Sequence, residues 1–428
     1  MKTDQLLIRV SSSWTAYEAL TSFYLIAFAL QYGASNTMVG LLGALPFLAM
    51  MVAEFPGVRL VEARSRRMVA SLTSMLPRFL WVLIAVLPFL VKNPVMAIAI
   101  IYFVLRIIEY LGDPAWTSIV GDLVKEKSRG RFFGKRFHAM TFWNTIAIVL
   151  AGLYLNYVHQ NYTVLFIVGA IVGIASGWLK GKVKEPEQRD HTHHTIKEFI
   201  HVKGEFLHFC LANVVFRFGV MLAAPLITVY ILKNLNLSVG FYALLMATIT
   251  IAKFVVYPLV GKLSDKVGDK SLAVAGMAGA SFVPIFYFFI QPGMEIWLFA
   301  ISAFAGVVWA FVDISHLNLL MGLTTPESRP LMVAEFNTLS SIPNALGPIV
   351  GGLLADKASF IMTGIPSVFI LSGVLRAASL LPLLHVSEPR VKTQVHMHDV
   401  FQEVQAWHPT REITHELKVV FKNVKRNR

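Results

Sequence analysis

Charge is scarce in this chain. Only 15% of its 428 residues are Asp, Glu, Lys or Arg, while 56% are hydrophobic. With a mean hydropathy of +0.62, this excludes an ordinary water-soluble globular protein and points to a chain largely in contact with lipid. Cysteine is scarcer still. Cys210 stands alone, so no intramolecular disulfide can form, and cysteine usage carries no message about redox compartment. The 25 acidic residues are outnumbered by 38 basic ones, for a formal charge of +13. Such an excess raises nucleic acid as a partner, but the cations gather in alternate loops, where anionic lipid and the membrane potential hold them on one side. Membrane lipid is therefore the expected partner, not nucleic acid. No phosphate loop of the G-x-x-x-x-G-K-S/T type is present, so direct driving by ATP is not expected and no cofactor is implied.

Long apolar runs are what the chain has in abundance. A spanning helix needs about 20 mostly apolar residues. Breaking the runs at charge and turn clusters gives twelve, near 11–33, 37–60, 69–91, 94–121, 137–158, 162–180, 206–233, 238–261, 271–291, 295–321, 331–354 and 361–384. The fold class expected is an all-α membrane protein of twelve transmembrane helices in two pseudo-symmetric six-helix bundles. The first run, flanked by Lys2 and Arg9, lacks a small-residue cleavage site and reads as a retained span. Arg59, Arg64, Arg66 and Arg67 follow the second run; Lys125, Lys127, Arg129, Arg131, Lys135 and Arg136 follow the fourth. Six more cations follow the sixth run and three the eighth, while the opposite loops hold little beyond Lys92, Lys233 and Lys357. The positive-inside rule then places both termini in the cytoplasm of a multi-pass plasma-membrane protein.

The polar stretch 181–205 divides the chain into an N-terminal bundle (1–180) and a C-terminal bundle (206–384), followed by a basic tail (385–428). In the tail, Val400, Val404, Trp407, Ile413, Leu417, Val420 and Phe421 recur at helical spacing, as in amphipathic helices on a membrane surface. The halves echo one another. An offset of 200 residues places Asp113 on Asp313, Leu123 on Leu323, Ser128-Arg129 on Ser328-Arg329 and Gly152-Leu153 on Gly352-Leu353, as a duplicated six-helix unit would.

Ions inside the apolar runs carry the functional signal. Arg106, Glu109 and Asp113 are spaced i, i+3, i+7, which stacks them on one face of an unbroken helix. An ion in hydrocarbon costs roughly 2.5–3.5 kcal/mol on insertion scales, so these persist either by pairing or by lining a wet path. One reading makes Glu109, with Asp113 or Glu18, a proton-titrating group, while Arg106 and Arg217 hold an anion between the halves. The other has Arg106 and Glu109 neutralise each other to fix helix packing. Asp113 and Asp313, nearer the basic loops, suit gating or loop anchoring. Glu54 and Arg78 read as members of the loop network, Lys253 and Arg376 as snorkelling or internally paired, and Glu335 as part of a latch around Arg329. His191, His193, His194, His396 and His398 lack the fixed scaffold a metal site needs, so no metal is expected.

Gly261-Lys262-Leu263-Ser264-Asp265-Lys266-Val267-Gly268-Asp269-Lys270 resembles the G-x-L-a-D-r-x-G-r-k loop motif of the major facilitator superfamily of secondary transporters. Its first-half counterpart, Gly57 to Arg67, keeps the glycine, an acid and the basic end, but carries one inserted residue and Glu62 in place of Asp. Gly347-Pro348-Ile349-Val350-Gly351-Gly352 is similar to a G-P-x-x-G-G element that antiporters of that superfamily carry on span five. Here it sits on span eleven, where close packing and a kink explain it equally well.

The resemblance implies that spans one, four, seven and ten line a central path. Glu18, Tyr24, Arg106, Glu109, Asp113, Arg217, Trp309, Asp313 and His316 then become candidate pathway residues. Gly57, Glu62, Arg66, Gly261, Asp265, Gly268, Lys270, Arg129 and Arg329 become candidate gating-loop residues. The expected function is alternating-access transport of a small-molecule substrate by a monomer, proton-coupled and directed towards export of small organic compounds. The rival within the class is uptake or uniport of an anionic metabolite. Outside it stand a membrane-embedded enzyme using Glu109, Asp113 and His316, and a transporter-like sensor signalling through the tail. No catalytic residues are expected.

Overall fold

Span one is bent. It forms two helices, Thr3–Leu20 and Ser22–Gln31, interrupted at Thr21, whose hydroxyl donates to the Tyr17 carbonyl at 2.7 Å. The structure, a computed structural model, describes residues 3–124, 129–158, 161–185, 202–325, 329–357 and 364–387; of residues 62, 129–131 and 329–331 it describes only the backbone. The amphipathic tail helices and the histidines at 191, 193, 194, 396 and 398 lie outside the described residues, as do the side chains of Glu62, Arg129 and Arg329.

Eleven further helices are long and apolar enough to cross a membrane: Asn36–Val61, Arg66–Leu90, Val95–Leu123, Phe132–Tyr157, Tyr162–Gly181, Gly204–Asn234, Val239–Val267, Asp269–Phe289, Trp297–Gly322, Met332–Lys357 and Ile365–Leu384. With span one they make the twelve expected, and no strand occurs among the described residues. Span one begins eight residues earlier than its apolar run, because its polar first turns are helical too.

Capping and proline chemistry set the boundaries. Span two starts at Ser35, whose side chain accepts the Met38 N–H at 3.2 Å, and span three at Ser65, which accepts the Met68 N–H at 3.3 Å. Span three is interrupted at Leu76-Pro77, where proline supplies no N–H for the helix ladder. Span four is interrupted at Leu111-Gly112, just ahead of Asp113-Pro114. This corrects the single-face stack of Arg106, Glu109 and Asp113. Asp113 opens a new helix, because Pro114 cannot donate back to Tyr110.

The chain forms two compact units. The first comprises Met1–Thr195, Val220–Ala247 and Ser341–Phe369; the second comprises Ile196–Gly219, Thr248–Ser340 and Ile370–Arg428. The duplication expected from sequence has a structural counterpart: helices Arg129–Tyr157 and Arg329–Lys357 are both 29 residues long, and their bounds are offset by the same 200 residues.

Within the first unit, glycine permits close backbone approach. A Cβ on Gly57 would lie 2.8 Å from the Leu111 carbonyl oxygen, so this glycine seats on the break in span four. The glycines of the span-eleven element pack likewise: a Cβ on Gly351 would overlap the Leu222 carbonyl oxygen, and one on Gly352 that of Asn36. Gly351→Val is therefore expected to cost about 1–3 kcal/mol, read as a lower melting temperature of purified protein. Unchanged melting would contradict this close approach.

Candidate functional site

A buried ionic cluster occupies the first unit, built from spans one, three and four. Arg106 is its hub and is 5% exposed. Its Nη1 donates to Glu18 Oε1 at 2.8 Å and to Glu109 Oε2 at 2.7 Å. Its Nη2 donates to Glu18 Oε2 at 2.6 Å and to Ser22 Oγ at 2.5 Å, and Nε donates to the Tyr102 hydroxyl at 3.1 Å. The contact with Glu18 is thus the two-pronged fork that matches guanidinium to carboxylate.

Glu109 shares its second oxygen. Oε1 accepts from the Tyr17 hydroxyl at 3.1 Å and is ion-paired with Arg78 Nη1. Arg78 is 1% exposed, with its guanidinium 3.7 Å from the Tyr17 ring centroid, a cation–π arrangement. Tyr17 in turn accepts from Trp81 Nε1 at 2.6 Å. Two guanidiniums and two carboxylates therefore offset one another.

Two expectations change here. Arg78 is not in a loop network but in this cluster; Pro77 starts its helix so that Arg78 points into the packed interior between Tyr17 and Gly173. Arg106 is not free to clamp an anion, because every guanidinium nitrogen is engaged by cluster partners. Tyr24 stands apart, its hydroxyl donating to the Ile148 carbonyl at 2.5 Å. Asp113 and Glu54 are exposed and have no ion pair among the described residues. Lys180, near Asp113, donates to Ser74 Oγ at 2.6 Å and lies 5.1 Å from the Trp116 ring centroid.

In the second unit, Arg217 Nε donates to Asn213 Oδ1 at 3.0 Å, and Asn213 donates to Ser340 Oγ at 2.7 Å. Asp313 pairs with Lys253 at 2.6 Å and accepts from the Tyr257 hydroxyl at 2.8 Å, so Lys253 is internally paired. Arg376 is buried and donates to the Ala280 carbonyl at 2.9 Å. Phe216 lies edge-on or tilted to Trp309 and His316, with centroids 5.8 and 6.1 Å away. His316 Nε2 is 3.4 Å from Met277 Sδ.

The short loops near the basic ends are tied to spans four and ten. Arg66 is buried and donates to Ser118 Oγ at 2.8 Å and Asp122 Oδ2 at 2.7 Å. In the second unit, Asn318 Nδ2 donates to Ser264 Oγ at 3.0 Å and Asp269 Oδ1 at 2.9 Å. Positions 118 and 318 thus hold corresponding loops under the 200-residue offset. Gly268 has φ +84° and precedes the helix that Asp269 opens, a backbone shape that favours glycine. Lys270 donates to the Leu384 carbonyl at 2.9 Å. Asp265 is exposed and Gly261 faces open space, while Asp269 is fully buried. Asp269→Ala, which strips an acceptor from Asn318 and Ser264, is expected to cost about 1–3 kcal/mol in thermal unfolding; a wild-type melting curve would show the anchor to be idle. At the first loop, burial works against ionisation of Glu185, yet the Ser65 hydroxyl and the Arg67 amide hold its carboxyl below the usual range.

Sequence reasoning placed Glu18, Arg106 and Glu109 among its candidates but missed Arg78, Ser22 and Trp81 as their partners, and Asn213 as the partner of Arg217. An arginine inside an apolar run directly after a proline was the available signal for Arg78.

Among known proteins, the chain is similar to multidrug resistance protein 1 of Bacillus subtilis (strain 168), 29% identical over 188 residues, 44% of this chain and 46% of that one. It is also similar to multidrug resistance protein MdtG of Serratia proteamaculans (strain 568), 29% identical over 155 residues, 35% of this chain and 36% of that one. The matched stretch thus spans less than half the length of either relative. Among solved structures, a D-xylose-proton symporter superposes with a TM-score of 0.69 at 16% identity, covering 91% of this chain and 98% of that one. A bacterial homologue of the iron transporter ferroportin gives 0.68 at 14% identity, covering 90% and 97%. At such identities the likeness is one of fold. The Major Facilitator Superfamily model matches residues 7–207 and 209–428, nearly the whole chain, and together with the twelve helices this makes the protein a multi-pass membrane protein belonging to that superfamily.

Proposed function

We propose that this transporter is a proton-coupled exporter of small organic compounds in the plasma membrane, acting as a monomer with both termini in the cytoplasm. The 1–180 and 206–384 bundles are its moving halves, and alternating access carries the solute. The observation that carries the coupling reading is the buried cluster of Glu18, Arg78, Arg106 and Glu109. A carboxylate in a low-dielectric site keeps or yields its proton according to the distance of its guanidinium partners. A conformational change that separates spans one, three and four therefore exchanges an ion pair for a protonated acid. The names of the multidrug resistance relatives support export.

The test is transport in reconstituted vesicles with an imposed pH gradient. A mixed panel of organic cations, neutral compounds and anions is offered, with and without a protonophore. Accumulation that depends on the gradient and collapses with protonophore supports the reading. Equilibration indifferent to the gradient would make the protein a uniporter. Uptake of an anionic metabolite is the second reading, favoured by Arg217, whose terminal guanidinium nitrogens have no carboxylate partner among the described residues.

A further inference from the structure

The two units treat their membrane-embedded cations differently. In the first, every guanidinium of the cluster meets a carboxylate. In the second, Arg217 is held through Nε by the neutral amide of Asn213, itself held by Ser340. No carboxylate comes within ion-pair distance of Arg217 among the described residues. Asp313 is near enough to act on it electrostatically, but that carboxylate is engaged by Lys253 and Tyr257. Arg376, a second cation without a carboxylate among the described residues, packs its stem on Gly219, two residues along span seven. Two guanidiniums thus stand without a carboxylate in contact among the described residues, with Asp313 shared by Lys253, an arrangement that is costly at membrane depth unless something negative shares the site.

The surroundings are aromatic. Phe216, adjacent to Arg217 in the chain, meets Trp309 and His316, and Phe209 meets His316 at 5.6 Å. Arg217 is half-buried. Its Nη1 and Nη2 are oriented as a pair by the bond that Nε makes to Asn213. A planar fork so held fits a carboxylate, sulfonate or phosphate group in two-pronged fashion.

We propose that the second unit recognises small organic anions with an aromatic or apolar body, the anionic group on Arg217 and the body on the Phe216–Trp309 side. This rests on the transport reading but not on its direction or its coupling. Arg217 is a specificity-determining residue, and Asn213 positions it.

Full-length protein in nanodiscs of zwitterionic lipid is dialysed to equilibrium against naphthalene-2-sulfonate or naphthalen-2-ylmethylammonium, which share one aromatic body and differ in charge. Empty discs supply the background. Wild type is expected to bind the sulfonate about tenfold more tightly than the ammonium compound, the scale of one charge-assisted contact. Arg217→Gln brings the ratio near one, Arg217→Lys retains part of it, and Asn213→Ala, which keeps the charge but frees the guanidinium, weakens it. Equal or tighter binding of the ammonium compound, no saturable sulfonate binding, or an unchanged ratio in Arg217→Gln overturns the proposal. Should Arg217→Gln not fold, the Arg217→Lys and Asn213→Ala ratios decide, since both keep the cation. Binding is read without a gradient, so loss of proton coupling elsewhere leaves this result standing, and loss of charge preference leaves coupling standing.

Discussion

Glu109→Gln is expected to abolish gradient-driven accumulation while leaving exchange of solute across the membrane. Glutamine keeps the shape and can still accept from Tyr17, but it carries neither charge nor exchangeable acidic proton. Glu109 is the one acid of the cluster that touches both guanidiniums, Arg106 through Oε2 and Arg78 through Oε1. Its charge therefore couples three spans. With the charge gone, the acid that remains, Glu18, is forked on Arg106, no carboxylate bridges the two guanidiniums, and protonation no longer follows the separation of span three from span four, so a pH gradient loses its hold on the conformational state. Accumulation should fall by at least about tenfold, one pH unit of driving force being worth about 1.4 kcal/mol, while counterflow exchange stays within a few-fold of wild type. Full accumulation in the variant would reduce Glu109 to a structural ion-pair partner.

Arg106→Gln is expected to be the most destabilising single change in the first unit. It removes the fork on Glu18, one partner of Glu109, and the donors to Ser22 and Tyr102. Breaking a buried pair by deleting one partner leaves an uncompensated charge and typically costs about 3–5 kcal/mol. Unfolding of the purified protein should shift accordingly. The informative control is the pair Arg106→Gln with Glu18→Gln, which removes one cation and one anion together. The double variant should recover much of the lost stability, because desolvated charge rather than lost packing is the cause. Double-variant melting no better than that of Arg106→Gln would place the effect in packing.

The all-helical membrane architecture was legible because hydropathy reports it directly: eleven of the twelve runs appear as helical spans long and apolar enough to cross a membrane, some with a break inside them, and the twelfth is span one with its interruption at Thr21. Gly57 was legible as a glycine of the first loop, though its seat against Leu111 was not. What sequence spacing could not reveal was where helices break and which distant ions meet. The stack of Arg106, Glu109 and Asp113 assumed one continuous helix, and the break before Pro114 sends Asp113 elsewhere. Arg78 lay far from Glu109 in sequence, so only packing of span three on span four could reveal their pairing. Arg106 and Arg217 looked alike as intramembrane cations, yet one is held by two carboxylates and the other, among the described residues, by the amide of Asn213.

The central claim is that solute movement and protonation share one switch, the cluster around Glu109. It is tested most directly by following proton exchange in weakly buffered detergent solution as solute is added to purified transporter. Wild type is expected to exchange about one proton per molecule on saturation, as linkage between solute binding and protonation requires, and Glu109→Gln none, although it binds the same solute. An equal proton signal in the two proteins, or no signal in wild type that binds solute, contradicts the claim.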